Sequence, residues 1–483
     1  MPSHLPSHLP SQIPTQRRAT TTPNYLGDSA VVLGASLSGL LTARVLADFY
    51  RKVTVVDRDR LTIDAKARRG VPQATHAHVL LPRGARILDE LFPGFLAELR
   101  QSGVPVVRRL DELHFELSGH LLSQQKLEGE PQYGVSRPFL ESRVLRRVKA
   151  LPNVSVVDKH EVLTLDTDPT GTAVTGARIA CGAALSGETV LAADLVVAAT
   201  GRAGQVSSWL TELGYPVPKE QQVKVDIMYA TRRLRLAPGA TGGVLSVLIG
   251  ATPNRPIGMA AFAQEDDHWT VTLAGFGGHH PPLAPDAWLD FAARMAPPWF
   301  LSAIKAGIPL DDVHSHRFPA NLRRRYDKLH TFPDGLLVVG DAMCSFNPIY
   351  GQGMTVAALE VMALRDTLMA GRVNLAKRYF QAASKPIASA WQCAAGADLT
   401  MPPDVVPGAR SLPLRAVNAY VGGFQTAAQH DPALALHFLR VTGLDAPVRN
   451  LFAPTSLGRV ALRRLHRRQE SPHTAIPEPV ERP

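Results

Sequence analysis

The stretch from Ser29 to Asp57 constrains the chain more than any other. Ser29-Ala-Val-Val-Leu33 reads as a short buried strand, Gly34-Ala-Ser-Leu-Ser-Gly39 as a glycine turn, Leu37–Tyr50 as a helix and Lys52-Val-Thr-Val-Val-Asp57 as the next strand. Strand, helix and strand in about 30 residues make a βαβ unit. Its strands run parallel, and helices cover both faces of such a sheet. An α/β architecture follows.

Further along, Ala193–Ala199 and Gly335–Val339 repeat the buried-strand texture, the latter followed by an Ala-rich helix over Gly353–Met369. Helical periodicity runs through Pro82–Ser102 and Arg137–Ala150, and through about 375–465. Residues 223–276 differ: alternating segments rich in Gly and Thr, such as Val223–Tyr229, Val244–Ile249 and Trp269–Leu273, predict an antiparallel sheet. Residues 1–26 repeat Ser-His-Leu-Pro and are poor in apolar groups, and 470–483 are Pro-rich. Neither segment offsets its ordering entropy, so both are expected to be disordered tails.

Composition narrows the function classes. With 483 residues, 45% of them hydrophobic, the chain can hold two to four domains with large cores. The 3 cysteines, Cys181, Cys344 and Cys393, are widely separated, which excludes a disulfide scaffold and a Cys-rich zinc module. His76/His78 and His314/His316 have no acidic or cysteine partner at ligand spacing, so no metal site is expected. The net charge of +10 is spread along the chain without an aromatic-and-basic platform, and nucleic acid is not an expected partner. No apolar run is long enough to span a bilayer, and Met1–Arg18 carries no secretory apolar core. The expected compartment is the cytoplasm.

Two motifs carry chemistry. In the first, Gly34 permits the tight turn and Gly39 close helix–strand packing, while Ser36 stands where the dinucleotide fingerprint has its second glycine. The helix start offers free N–H groups to a pyrophosphate. Asp57, at the end of the second strand, lies roughly 20 residues on, where that fingerprint places a ribose-binding carboxylate. Asp59 competes but lies beyond the strand. The second motif follows the strand Leu336–Val339: Gly340-Asp341, then Pro348-Ile-Tyr-Gly351-Gln352-Gly353 opening a helix. A carboxylate at the strand end suits a polyol chain, and a glycine-rich helix start stabilises negative charge developing on a ring. Together they select FAD over NAD.

The pairing of Gly34–Gly39 with Gly340-Asp341 and Pro348–Gly353 resembles the FAD-dependent monooxygenases of the aromatic-hydroxylase fold. Within them, Gly70–Leu81 and Phe346–Met354 look most like the polyether flavin epoxidases of the monensin and lasalocid type. The resemblance implies one FAD, a flavin C4a-hydroperoxide as oxygen donor, epoxidation or hydroxylation of a hydrophobic, secondary-metabolite substrate, and no catalytic side chain. It implies that Asp341 bonds the ribityl chain, that the backbone of Gly351, Gln352 and Gly353 faces flavin N1 and O2, and that Arg137 contacts FAD. His76, His78 and Met354 are placed near the flavin. The Trp-x-Trp-x-Ile-Pro signature of flavin halogenases is absent.

The implied map is a Rossmann-like FAD-binding domain over 27–222 and 326–400, an inserted β-sheet substrate domain over 223–325 and C-terminal helices over 401–469. One departure bears on reduction. Thr200-Gly201-Arg202-Ala203-Gly204 lacks the family's Asp and following Ser. Electrons from NAD(P)H then arrive directly or through a separate flavin reductase. The alternatives are an FAD-dependent dehydrogenase or reductase on this fold and a flavin-binding protein without turnover.

Overall fold

A computed structural model describes residues 25–470 except 67, 69 and 182–185; most of both expected tails therefore lies outside the described residues. Residues 25 and 26 belong to the fold: the Leu26 N–H donates to the Phe49 carbonyl at 2.8 Å. Five strands form a parallel sheet in the order Leu336–Val338, Leu195–Ala198, Gly27–Leu33, Tyr50–Val56, Val154–Val157. Four of these strands carry a run of three or four consecutive buried residues, as burial on both faces requires, and Val154–Val157 at the edge does not. Val31, Val32, Leu33, Val55, Val56, Val196, Val197 and Leu337 are all essentially inaccessible. The first helix spans Leu37–Leu46, shorter than its pattern suggests, because the chain turns at Ala47–Phe49 to begin the strand at Tyr50.

The expected helix over Pro82–Ser102 is two helices, Pro82–Leu91 and Phe95–Gln101. Pro93 and Gly94 (φ 81°) interrupt it, which apolar periodicity alone conceals. Arg137–Lys149 forms as expected, capped by the Ser136 hydroxyl on the Phe139 N–H.

Above the parallel sheet lies a nine-stranded, mainly antiparallel sheet built around Glu220–Arg235, His268–Gly275, Ile257–Gln264, Ser246–Ile249 and His314–Arg324. It is not made from 223–325 alone. Leu113–Leu117 pairs in parallel with Ser246–Ile249, and Cys344–Ser345 pairs with His314–Arg324. Long-range pairing of this kind has no local sequence signature. Alternation sets the two faces: Val271, Leu273 and Ala230 pack on Trp288 and Phe300 of the helices Pro285–Ala293 and Pro298–Ala306, while Thr272, Ala274 and Tyr229 turn to a cavity on the other face. The helices Gly353–Met369 and Leu375–Asp398 return to the parallel sheet, and Leu412–Ala428, Pro432–Thr442 and Pro454–Glu470 close one side of the molecule.

Candidate active site

The carboxyl ends of four parallel strands, at Leu33, Val56, Ala198 and Val338, open into one cavity of about 640 Å³. In an open parallel sheet this edge is where ligands bind. Gly34, Ser36, Asp57, Arg137, Gly340, Asp341, Pro348, Gly351, Gln352, Gly353, Met354, His76 and His78 all line it. Gly39 does not; it packs beneath.

The first turn is built as its glycines demand. Gly34 has φ 112°, and a Cβ there would lie 2.4 Å from the Ala199 carbonyl oxygen; one on Gly39 would lie 1.9 Å from the Gly34 oxygen. Behind the turn stands a cluster that the motifs do not contain. Glu141 accepts from the Ser36 hydroxyl (2.9 Å), the Leu37 N–H (3.1 Å), Arg137 Nε (2.8 Å) and Arg68 (2.8 Å). Arg137 also donates to the Ser36 oxygen at 2.9 Å. Burial alone would raise the Glu141 carboxyl, but the Arg137 and Arg68 guanidiniums outweigh it and hold it down at about 2. Two arginines are thereby fixed beside a helix start whose Ser38 and Gly39 N–H groups have no acceptor among the described residues, an arrangement that fits a pyrophosphate. Asp57 accepts from the Ala35 N–H (2.7 Å) and the Asp59 N–H (2.8 Å), while Asp59 turns away to the Gly70 N–H.

At the second turn Gly340 (φ 67°) leaves no room for a side chain, since a Cβ would meet Ser38 Oγ at 2.7 Å. Its N–H donates at 2.6 Å to Glu360, whose buried carboxyl is pushed up to about 8. Among the described residues Asp341 has no hydrogen-bond partner, and it opens to the cavity; its enclosed setting raises its pKa against the pull of Arg137 and Arg202. A carboxylate left without protein partners at this strand end fits a polyol chain. At the third turn the Gly351 N–H closes onto the Pro348 carbonyl at 2.9 Å, leaving those of Gln352 and Gly353 without acceptors among the described residues, at the positive end of a 17-residue helix. That end fits the electron-rich edge of a flavin. The Gln352 side chain ties the turn to the Thr442 carbonyl at 2.8 Å.

His76 and His78 lie between this turn and the antiparallel sheet. His76 Nδ1 is 2.6 Å from Thr231 Oγ1, and burial lowers its pKa to about 3; His78 is lowered to about 4. Both rings are neutral at pH 7. Met354 is buried in the core beneath the helix start. Among the described residues no group of His, Cys, Asp or Glu is arranged to hold a metal. The remaining wall comes from the sheet (Leu113, Phe115, Leu248, Met259, Phe262) and the C-terminal helices (Val417, Val421, Phe438, Leu439). The charged lining residues, Asp57, Arg58, Arg68, Arg137, Glu161 and Asp341, all belong to the cofactor side.

The fold and site thus define an FAD-binding protein of the mixed α/β, aromatic-hydroxylase-like kind. Residues 28–373 match the family described as FAD binding domain, and the chain belongs to that family. It is 37% identical over 425 residues to Protein Rv3254 of Mycobacterium tuberculosis (strain ATCC 25618 / H37Rv), covering 86% of this chain and 89% of that one. It is 27% identical to kynurenine 3-monooxygenase of Salinispora tropica, over 74% of this chain and 77% of that one. The p-nitrophenol 4-monooxygenase of Pseudomonas putida superposes with a TM-score of 0.61 at 18% identity, over 86% of this chain and 98% of that one, a likeness of fold. The 6-methylpretetramide 4-monooxygenase of Streptomyces rimosus is 26% identical to this chain, over 73% of this chain and 78% of that one. Among the described residues no helix is long and apolar enough to cross a membrane.

Glu141, Arg68 and Tyr229 are the site residues that motif reading missed. The Arg137–Glu141 pair at i, i+4 was a visible signal; Arg68 lies in a loop and Tyr229 in a strand of unknown register, and neither gave one.

Proposed function

We propose that the protein is an FAD-dependent monooxygenase that places one oxygen atom of O2 on an uncharged, largely apolar organic substrate of the secondary-metabolite class, by epoxidation or hydroxylation. The observation that carries this reading is the division of the cavity. Its cofactor side holds partners suited to the pyrophosphate, a ribose, the ribityl chain and the ring of FAD, whereas the described lining residues of the antiparallel sheet and C-terminal helices include no Asp, Glu, Lys or Arg. An ionic substrate buried there would lack a counter-charge, at a cost of several kcal/mol (~). Bound and reduced, FAD supplies the activation of O2. The protein contributes orientation and a dry wall at the reacting centre. Arg68, Arg137 and Asp341 hold the cofactor in this reading, with Asp57 on the ribose and the Gln352 and Gly353 N–H groups on the ring. The polyether-epoxidase likeness of Gly70–Leu81 and Phe346–Met354 favours an olefin as the acceptor.

Reduction through a separate flavin reductase belongs to the same proposal. Arg202 gives its Nη1 to the Ala320 carbonyl and the Ser345 hydroxyl and stacks 5.0 Å from the Phe318 ring centre, contacts with which a nucleotide phosphate would compete. Anaerobic mixing with NADPH and substrate should bleach the flavin slowly; bleaching within about a second, at the speed of well-positioned hydride transfer, sinks the reductase requirement.

The deciding test supplies reduced flavin and labelled O2 to the holoprotein with a panel of neutral polyenes and polycyclic phenols beside a zwitterionic amino acid. Label should enter a neutral compound. Turnover without label identifies a dehydrogenase, and no substrate-stimulated oxygen uptake with any donor identifies a flavin-binding protein without turnover. Preferred oxidation of the zwitterion refutes the substrate class.

A further inference from the structure

The turn that presents Gln352 and Gly353 is held by a hydrogen-bond clamp centred on a residue outside every motif. Asp398 ends the helix Leu375–Asp398 and is 1% exposed. Its Oδ2 accepts from Asn321 Nδ2 at 2.6 Å; its Oδ1 accepts from Asn347 Nδ2 at 3.0 Å and from the Tyr350 hydroxyl at 2.7 Å. Backbone N–H groups, which can only donate, decide how the two amides face. The Asn347 N–H donates to Asn321 Oδ1 at 2.6 Å, and the Ile349 N–H to Asn347 Oδ1 at 3.3 Å. Each amide must then turn its NH2 toward position 398. Tyr229 closes the network, donating to Asn347 Oδ1 and accepting from the Ile349 N–H at 3.2 Å. Three donors converge on residue 398 and nothing beside it is left to accept, a demand that an ionised carboxylate meets and an amide does not.

We propose that Asp398 is a positioning residue for the cofactor: through Asn347 and Tyr350 it locks the Asn347–Gly353 turn so that the Gln352 and Gly353 N–H groups stand ready for the flavin ring. The inference rests on the FAD reading of this turn. The clamp also joins the turn to Tyr229 and Asn321 in the antiparallel sheet, so the substrate wall and the cofactor cradle share one buried polar network. Buried networks of this kind specify one arrangement only when every member is satisfied.

The test titrates FAD into the full-length apoprotein, wild type and Asp398→Asn, following flavin fluorescence, visible circular dichroism and the flavin midpoint potential. The amide matches the carboxylate in shape but sets an NH2 against donors. FAD should bind about tenfold more weakly or worse, the scale of one lost charge-assisted hydrogen bond, with an altered visible spectrum and potential, which a role in stability alone would not move. Tyr350→Phe removes a single donor and serves if Asp398→Asn does not fold; because the carboxylate keeps its two amide donors, it should weaken FAD by only about threefold, with the same spectral change in smaller degree. Variants that bind FAD as the wild type does, with unchanged spectrum and potential, overturn the clamp. A wild-type protein that takes up no FAD overturns the reading of the site, and the clamp's role with it.

Discussion

At the end of the strand Leu336–Val338 two carboxyl groups serve one turn in different settings. Asp341 faces the cavity without a protein partner, and Glu360 lies buried under Gly340. Asp341→Ala should raise the FAD dissociation constant about 10–100-fold, since a hydrogen bond to a charged group is worth roughly 1.5–3 kcal/mol; titration of the apoprotein by flavin fluorescence measures it. Glu360 has its pKa raised from 4.5 to about 8 by burial, so the folded state keeps the proton while the unfolded chain releases it. Its contribution to stability is therefore complete below pH 4.5 and is lost as pH rises toward 8. Glu360→Gln keeps an oxygen for the Gly340 N–H and removes the ionisation. The variant should match the wild type near pH 4.5 and unfold at a higher temperature than it at pH 8; thermal melts at the two pH values give the answer. Gly34, Asp57 and Asp341 were legible in the sequence because each sits at a set distance from a strand end. Asp398 was not, because its role depends on Asn321, which is 77 residues away.

Elements were legible wherever a local period was clean and broke down where partners were remote. The helix Pro454–Glu470 shows the difference. Its sequence suggests an apolar side docked on the protein and a solvated basic face. Val460 docks in the core of the C-terminal helices and Arg459 and Arg463 stay exposed, but Arg459 also pairs with Asp431 at 2.7 Å and Arg463 donates to the His430 carbonyl at 2.9 Å, while Leu457, Leu462 and Leu465 are 44–58% exposed. These two basic groups add to the Val460 contact because the Asp431 carboxylate and the His430 carbonyl lie beside them. Asp431 caps that helix, accepting from the Ala433 and Leu434 N–H groups at 3.0 and 3.3 Å. Asp431→Ala loses a cap worth about 1 kcal/mol and a half-exposed ion pair worth up to about 1. A stability loss of about 1–2 kcal/mol in urea denaturation is expected, with flavin content unchanged; an unchanged midpoint would mean that the C-terminal helices do not lean on this contact.

On the scale of the molecule, the parallel sheet, the antiparallel sheet and the C-terminal helices meet at the turns around the cavity, so a ligand seated there contacts all three layers. Cofactor affinity should then appear as global stability. FAD at 100 times its dissociation constant adds about 2.7 kcal/mol, and a thermal melt of the apoprotein should move upward with FAD and not with NAD; equal shifts for both would contradict the choice of cofactor. The sequence by itself determined the βαβ unit, the parallel sheet, the glycine turns and the carboxylates at two strand ends, because these depend on neighbours within a few dozen residues and on backbone conformations that particular residue types supply. Tertiary structure alone decided which strands complete the antiparallel sheet, which face of each strand lines the cavity, how Arg68 and Glu141 reach the first helix, and why residue 398 is an aspartate. Those features are pairings between remote segments, and a pairing is a property of two positions that no local pattern encodes.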